Sequence, residues 1–427
     1  MSEKFLTFQP GEYYDFEKAA VEERFAQARG EKPIPPMFPG AEATMTAPRP
    51  FTEAAIIARN RLYNPFDPLY TDPEFARAHG HPSCPAMPGM IMASGSPQGF
   101  SKDTGDLWYY TNDGTVVRMY QDIYGDTMLA PKNIVSHMKD VTKPGSDVRM
   151  MFMGGECDGY NEKGEKVYHA FTNTRDCWRK YKDDVPASER QNFTENMAEW
   201  TTYFPEQIPN GDAEYERMFK IWDNEVIAGD NTPYWEDVEI GTFLPETCSD
   251  GPITFMHIIA WQNMGTMSLF NREELRDLDY MKKNYFQDRF GSFLDETALH
   301  YSGRNIPGSR MAMYNNTCAD IIYRTVTNWM GYKGRITKYE WHFFPFFREL
   351  DVAPLCADEF NLVPGYEGKS LDLHPSEGDI VIGKACVIGK YINELGEHIV
   401  KIMLWAENMH GALIQGCPME VALPSRG

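Results

Sequence analysis

The sequence has no Cys-x-x-Cys pair, no apolar run long enough for a membrane helix, and no glycine-rich phosphate loop. Its eight cysteines, at 84, 157, 177, 248, 318, 356, 386 and 417, are scattered. That spacing excludes a zinc framework and reads as buried free thiols in a reducing compartment, so a cytoplasmic location is expected. Positive charge is also scarce: 41 Lys and Arg against 62 Asp and Glu give a net charge of −21 and a pI near 4.9. Such a field repels a long polyanion, which argues against nucleic acid as a partner. An anionic small molecule needs a local cluster of Lys or Arg. The opening MSEKFLTFQPGEYYDFEKA has no basic stretch followed by an apolar one, so neither a secretory signal nor a membrane partner is expected.

What is present is ordinary in bulk and informative in order. At 427 residues the chain exceeds what one core usually organises, so two domains are expected. Aromatics make up 13 % and there are 24 Met, which suits a bulky core or apolar ligand surfaces.

Three pairs of segments repeat in the same order. TEAAIIARN (52–60) resembles TFMHIIAWQN (254–263), MPGMIMA (87–93) resembles IPGSRMAM (306–313), and YNEKGEKV (160–167) resembles INELGEHIV (392–400). The growing offset predicts a duplicated domain with insertions in its second copy. Residues 134–178 and the stretch GDIVIGKACVIGKYINELGEHIVKIMLWAENMHG alternate apolar and polar residues between Gly turns, which predicts antiparallel strands. A strand run after a helix, twice over, predicts a sheet wrapped round a buried helix, with the two half-sheets free to pair edge to edge. The expected division is an extension over 1–44, a domain over 45–183, a polar linker over 184–218 and a second domain over 219–427. A further association of whole chains into a homo-oligomer is also expected.

The segment FTEAAIIARNRLYNPFDPLYTDPEFARAHG with MPGMIMA, the later YWEDVEIGTFLPETCSDGPIT, and the closing AENMHGALIQGCPMEVALPSR resemble the MaoC-like acyl-CoA hydratases and dehydratases. The resemblance implies an α+β double hot-dog fold. It also implies addition or removal of water across the 2,3 bond of an acyl thioester, with coenzyme A as part of the substrate and neither a separate cofactor nor a metal. Thioester hydrolysis and non-catalytic acyl-CoA binding are the alternatives. The family loop reads roughly Asp-x-Asn-Pro-x-His, and this chain departs from it: Pro65 stands at the Asp position, Asp67 at the Asn position and Tyr70 at the His position.

Hydration needs a base to activate water and an acid to protonate C2. With the loop dyad absent, His300, just ahead of Pro307-Gly308, becomes the expected principal acid or base, or else a structural residue, with Tyr301 beside it a further candidate. Asp67 and Tyr70 would orient water or the acyl group, or serve only as a turn cap and a packed ring. His257 is a further candidate. Gly89, Gly308 and neighbouring Arg310 are expected at the thioester. Arg179 and Lys180, in the basic run RDCWRKYK, would meet coenzyme A phosphates or lie on a solvated strand end. His79 and His81 read as surface histidines.

Overall fold

The computed structural model describes residues 4–33, 49–90, 104–125, 127–190, 208–254, 257, 278, 286–287, 293–294, 315–342, 355–373 and 375–427. Helix α1 (Asp15–Ala28) is followed by β1 (Arg49–Phe51), α2 (Glu53–Tyr63), α3 (Pro68–Thr71) and α4 (Pro73–Ala78). Four long strands complete this half: β2 (Leu107–Met119), β3 (Thr127–Asp140), β4 (Arg149–Tyr160) and β5 (Lys166–Arg179). The second half carries α5 (Asp212–Asn224), β6 (Thr247–Cys248), a separate two-residue pair β7 (Phe286–Gln287) and β8 (Phe293–Leu294), and α6 (Asn315–Met330). It ends with β9 (Arg335–His342), β10 (Val381–Ile392), β11 (His398–Asn408) and β12 (Leu413–Ala422).

Among the described residues ten strands form one antiparallel sheet in the order β1-β3-β4-β5-β2-β9-β12-β11-β10-β6. Read from either end, the two halves follow the same plan: an edge strand, three hairpin-linked strands, and an inner strand at the seam. The seam is β2 against β9, in register from Gly114 opposite His342 to Arg118 opposite Lys338. Pairing equivalent inner strands leaves neither inner edge open, which is how two half-sheets avoid exposed ladder groups. The strand-by-strand correspondence supports duplication.

One of the three sequence repeats does not mark equivalent positions. The Asn161–Glu165 turn joins β4 to β5, whereas Asn393–Glu397 joins β10 to β11, the counterpart of the β3–β4 connection. The two turns look alike because their chemistry is the same. In each, the Asn side-chain oxygen accepts from two backbone N–H groups, and Gly164 or Gly396 takes positive φ, 76° and 77°. Asn408, at the β11–β12 turn, repeats this pattern with Gly411. Turn type, not ancestry, explains that match.

Helix α6 is the axle of the second half. Residues 318–328 are buried all round, packed by β6, β9, β10, β11 and β12. A buried helix this rich in polar residues must have its partners supplied from outside, and it does. Asp320 meets Arg59, Thr325 meets Thr247, and Asn328 meets Asn64 and Glu225. The sheet wrapped on this helix is the hot-dog arrangement.

The N-terminal stretch packs on the first half-sheet. Phe8 and Val21 cover Met151, Met153 and Trp178, and Arg149, fully buried, binds Glu17, Asp140 and two backbone carbonyls. Helix α5 crosses the expected 218/219 boundary, and its Met218 and Ile221 pack with Cys248, Ile380 and Ile382. All eight cysteines are buried and free. Among the described residues no helix is long and apolar enough to cross a membrane.

Candidate functional site

The loop after α2 is built from two Asp-Pro helix starts. Asp67 caps α3 by accepting from Leu69 N–H at 2.9 Å, and Asp72 caps α4 by accepting from Glu74 and Phe75. Pro68 and Pro73 occupy the first helical positions, where a missing N–H costs nothing. Asp67 is only 1 % exposed, and burial pushes its carboxyl up to about 6.

Asn60 ties this loop to the next segment. Its amide donates to the Tyr70 and Pro85 carbonyls at 2.8 and 2.9 Å and accepts from Met87 N–H at 3.1 Å. With the backbone fixed on both sides, Tyr70 is directed into a small cavity between the two halves. Leu69, His81, Met87, Asp122, Arg335 and Tyr339 are among the other residues lining it, and its volume is about 50 Å³. That is room for one or two water molecules, at ~30 Å³ of liquid volume each.

Two polar groups on this cavity, His81 and Asp122, are linked through Tyr124 behind it. His81 Nδ1 lies 3.0 Å from the Tyr124 hydroxyl, which lies 3.3 Å from Asp122 Oδ2. Tyr124 has one proton; with it donated to Asp122, the His81 Nδ1 must be the donor to Tyr124. That assignment leaves His81 Nε2 with its lone pair. Burial raises the Asp122 carboxyl, opposed by Arg335 of the second half and by His81. Arg335 is itself fixed by Glu397 and the Met119 carbonyl. Burial, followed by the charges of Asp67 and Asp122, holds the Tyr70 phenol well above its ordinary value, so it stays protonated. The site therefore offers a lone-pair base, a permanent phenolic O–H and a carboxylate that steadies the base.

The expected site residues fall in several places. Tyr70 lines the cavity, while Asp67 sits behind it as the cap of α3. Gly89 adjoins the cavity with φ 85°; its carbonyl accepts from Arg59 at 2.9 Å and its N–H donates to the Tyr339 hydroxyl. A Cβ there would run into the Asp320 carboxylate, which is why glycine is required. His257 lies near Asp250, its Nδ1 bound to Thr254 and its pKa lowered by burial. Arg179 faces Asp147 and the Phe5 ring, and Lys180 pairs with Asp106 at 2.9 Å and lies over the Phe16 ring, so both hold the N-terminal segment at the strand end. His300, Tyr301, Gly308 and Arg310 lie outside the described residues.

His81, Asp122 and Tyr124 were missed by sequence reasoning; His81, read as a surface histidine, is partly buried. His79 is also partly buried, stacked on Phe75 and edge-on to Tyr332. The one usable signal was the spacing: His81 closes the loop that carries Tyr70.

No family model and no curated protein matches the sequence. Solved structures do. A MaoC-like dehydratase superposes with a TM-score of 0.51 at 12 % identity, covering 90 % of this chain and 98 % of its own. A putative MaoC domain dehydratase from Chloroflexus aurantiacus gives 0.46 at 13 % identity over 90 % and 95 %. A Mycobacterium tuberculosis protein described as having a double hot-dog fold gives 0.46 at 9 % identity over 88 % and 95 %. The first of these carries the comparison, and at such low identity it speaks to architecture alone. The chain is a double hot-dog, sharing its fold with a MaoC-like dehydratase.

Proposed function

We propose that this protein is a hydro-lyase, adding or removing water across the 2,3 bond of an acyl thioester, with coenzyme A as the acyl carrier. The observation that carries the reading is the His81–Tyr124–Asp122 chain opening on a cavity that Tyr70 also lines. The cavity holds the water alone, so the C2–C3 bond of the thioester lies at its mouth; there, in the hydration direction, His81 Nε2 takes a proton from that water as its oxygen bonds to C3. The π electrons move onto the thioester oxygen, where the Tyr70 hydroxyl donates to the developing charge. The imidazolium, steadied through Tyr124 by Asp122, then returns the proton to C2. One residue serving as base and then acid places both additions on the same face.

The test is a panel of enoyl- and 3-hydroxyacyl-CoA thioesters of varied chain length. Loss or gain of enoyl absorbance without free thiol supports hydration. Release of free thiol means a thioesterase, and saturable binding with neither change means an acyl-CoA binder; either outcome overturns the proposal.

A further inference from the structure

A second, ligand-sized cavity lies away from the Tyr70 cavity. It has a volume of about 360 Å³ and is lined by Phe66, Trp222, Glu225, Ile227 and Asp250. That size falls within the range of small-molecule sites, and so does its make-up of apolar walls with few polar groups. The walls come from distant parts of the chain: Phe66 from the first-half loop, Trp222 and Ile227 from the end of α5 and beyond. Phe66 keeps 69 % of its surface exposed, although its neighbours Asn64 and Asp67 are buried. The indole of Trp222 is held by a hydrogen bond from its Nε1 to the Ser249 carbonyl at 3.2 Å.

The charges are unbalanced. Glu225 and Asp250 both face the buried Arg324, at 3.3 and 3.1 Å, so two carboxylates share one guanidinium. Glu225 is further satisfied by the Asn328 amide at 2.8 Å. Asp250 is 44 % exposed on its side chain, and only its Oδ1 takes a hydrogen bond among the described residues. Among the described residues two carboxylates thus meet one guanidinium, with His257 near Asp250, in a cavity that Phe66 and Trp222 also line.

We infer that this cavity is a binding site for a small organic cation, an apolar body bearing an ammonium group. The ammonium bonds to Asp250 Oδ2 and lies against the Trp222 and Phe66 rings, whose faces attract cations. An organic anion meets the Asp250 carboxylate and is rejected. The site is separate from the acyl-thioester reading: among the described residues, none that lines it lines the Tyr70 cavity.

The experiment is calorimetric titration of the full-length protein with 4-phenylbutylamine, 4-phenylbutanol and 4-phenylbutyrate, which share a phenyl ring on a four-carbon chain and end in a cationic, a neutral and an anionic group. The amine is expected to bind at one site per chain, at least tenfold more tightly than the alcohol, with no binding of the carboxylate. Asp250→Asn and Phe66→Ala, both at exposed positions, should each weaken the amine at least tenfold while keeping the far-UV spectrum. Trp222→Phe should abolish the fluorescence change that the amine produces. Equal affinity for amine and alcohol, binding of the carboxylate, no saturable binding of the amine, or an unchanged affinity in Asp250→Asn would each overturn the inference.

Discussion

Arg59 of α2 and Asp320 of α6 meet at 2.5 Å with 4 % and 1 % of their side chains exposed, joining the two halves through a buried ion pair. The same guanidinium holds the Gly89 carbonyl, so the pair also sets the backbone beside the Tyr70 cavity. Removing one partner leaves the other charge buried without compensation. Asp320→Ala is therefore expected to cost about 3–5 kcal/mol. The double replacement Arg59→Met with Asp320→Leu should recover much of that loss. Urea unfolding of the three proteins checks this, and a double variant no more stable than the single one contradicts it.

His81→Gln should lower turnover of a responsive acyl thioester by ~10²–10⁴-fold with folding retained. His300→Gln is the informative comparison, since His300 was the base expected from sequence. If His300→Gln abolishes activity and His81→Gln does not, the acid–base assignment moves to His300.

Tyr124→Phe breaks the link between His81 and Asp122 without emptying the space. A fall in kcat of about tenfold or more is expected, with KM little changed and the acidic limb of the pH–rate profile, which a general base sets, displaced. A uniform change in KM alone would point to a packing role.

Asp67 gives a pH prediction with a definite sign. Burial raises its carboxyl from an ordinary 3.8 to about 6, so the folded state binds this proton more tightly than the unfolded chain. The resulting stability is fully present below about pH 4 and is lost as pH rises through 6. A rise of this size corresponds to roughly 3 kcal/mol at neutral pH. Asp67→Asn keeps a good helix cap and removes the penalty, so the variant should be more stable at pH 8 by up to that amount. Its stability should also vary less between pH 4 and 6; parallel curves for variant and wild type would refute the assignment.

The features legible in the sequence are those whose cause is local. Strand alternation over 134–178 and 378–411, the Asn-Gly turns, and the Asp67 turn cap depend only on neighbours within a few residues. Duplication was legible too, although one of its three supporting matches turned out to be shared turn chemistry. The absent dyad could be read directly, because Pro65 and Tyr70 cannot exchange a proton as Asp and His do.

Tertiary structure alone decided which groups meet. His81 and Tyr124 are 43 residues apart, and Arg59 and Asp320 are 261 apart. Their contacts depend on how the loop after α2 seats against the end of β2 and on how β2 pairs with β9. Strand register and helix placement are fixed by burial of the whole core, and no single segment records them. A histidine in AHGHPS therefore reads as a surface residue in the sequence, and only the folded chain brings it within 3.0 Å of the Tyr124 hydroxyl.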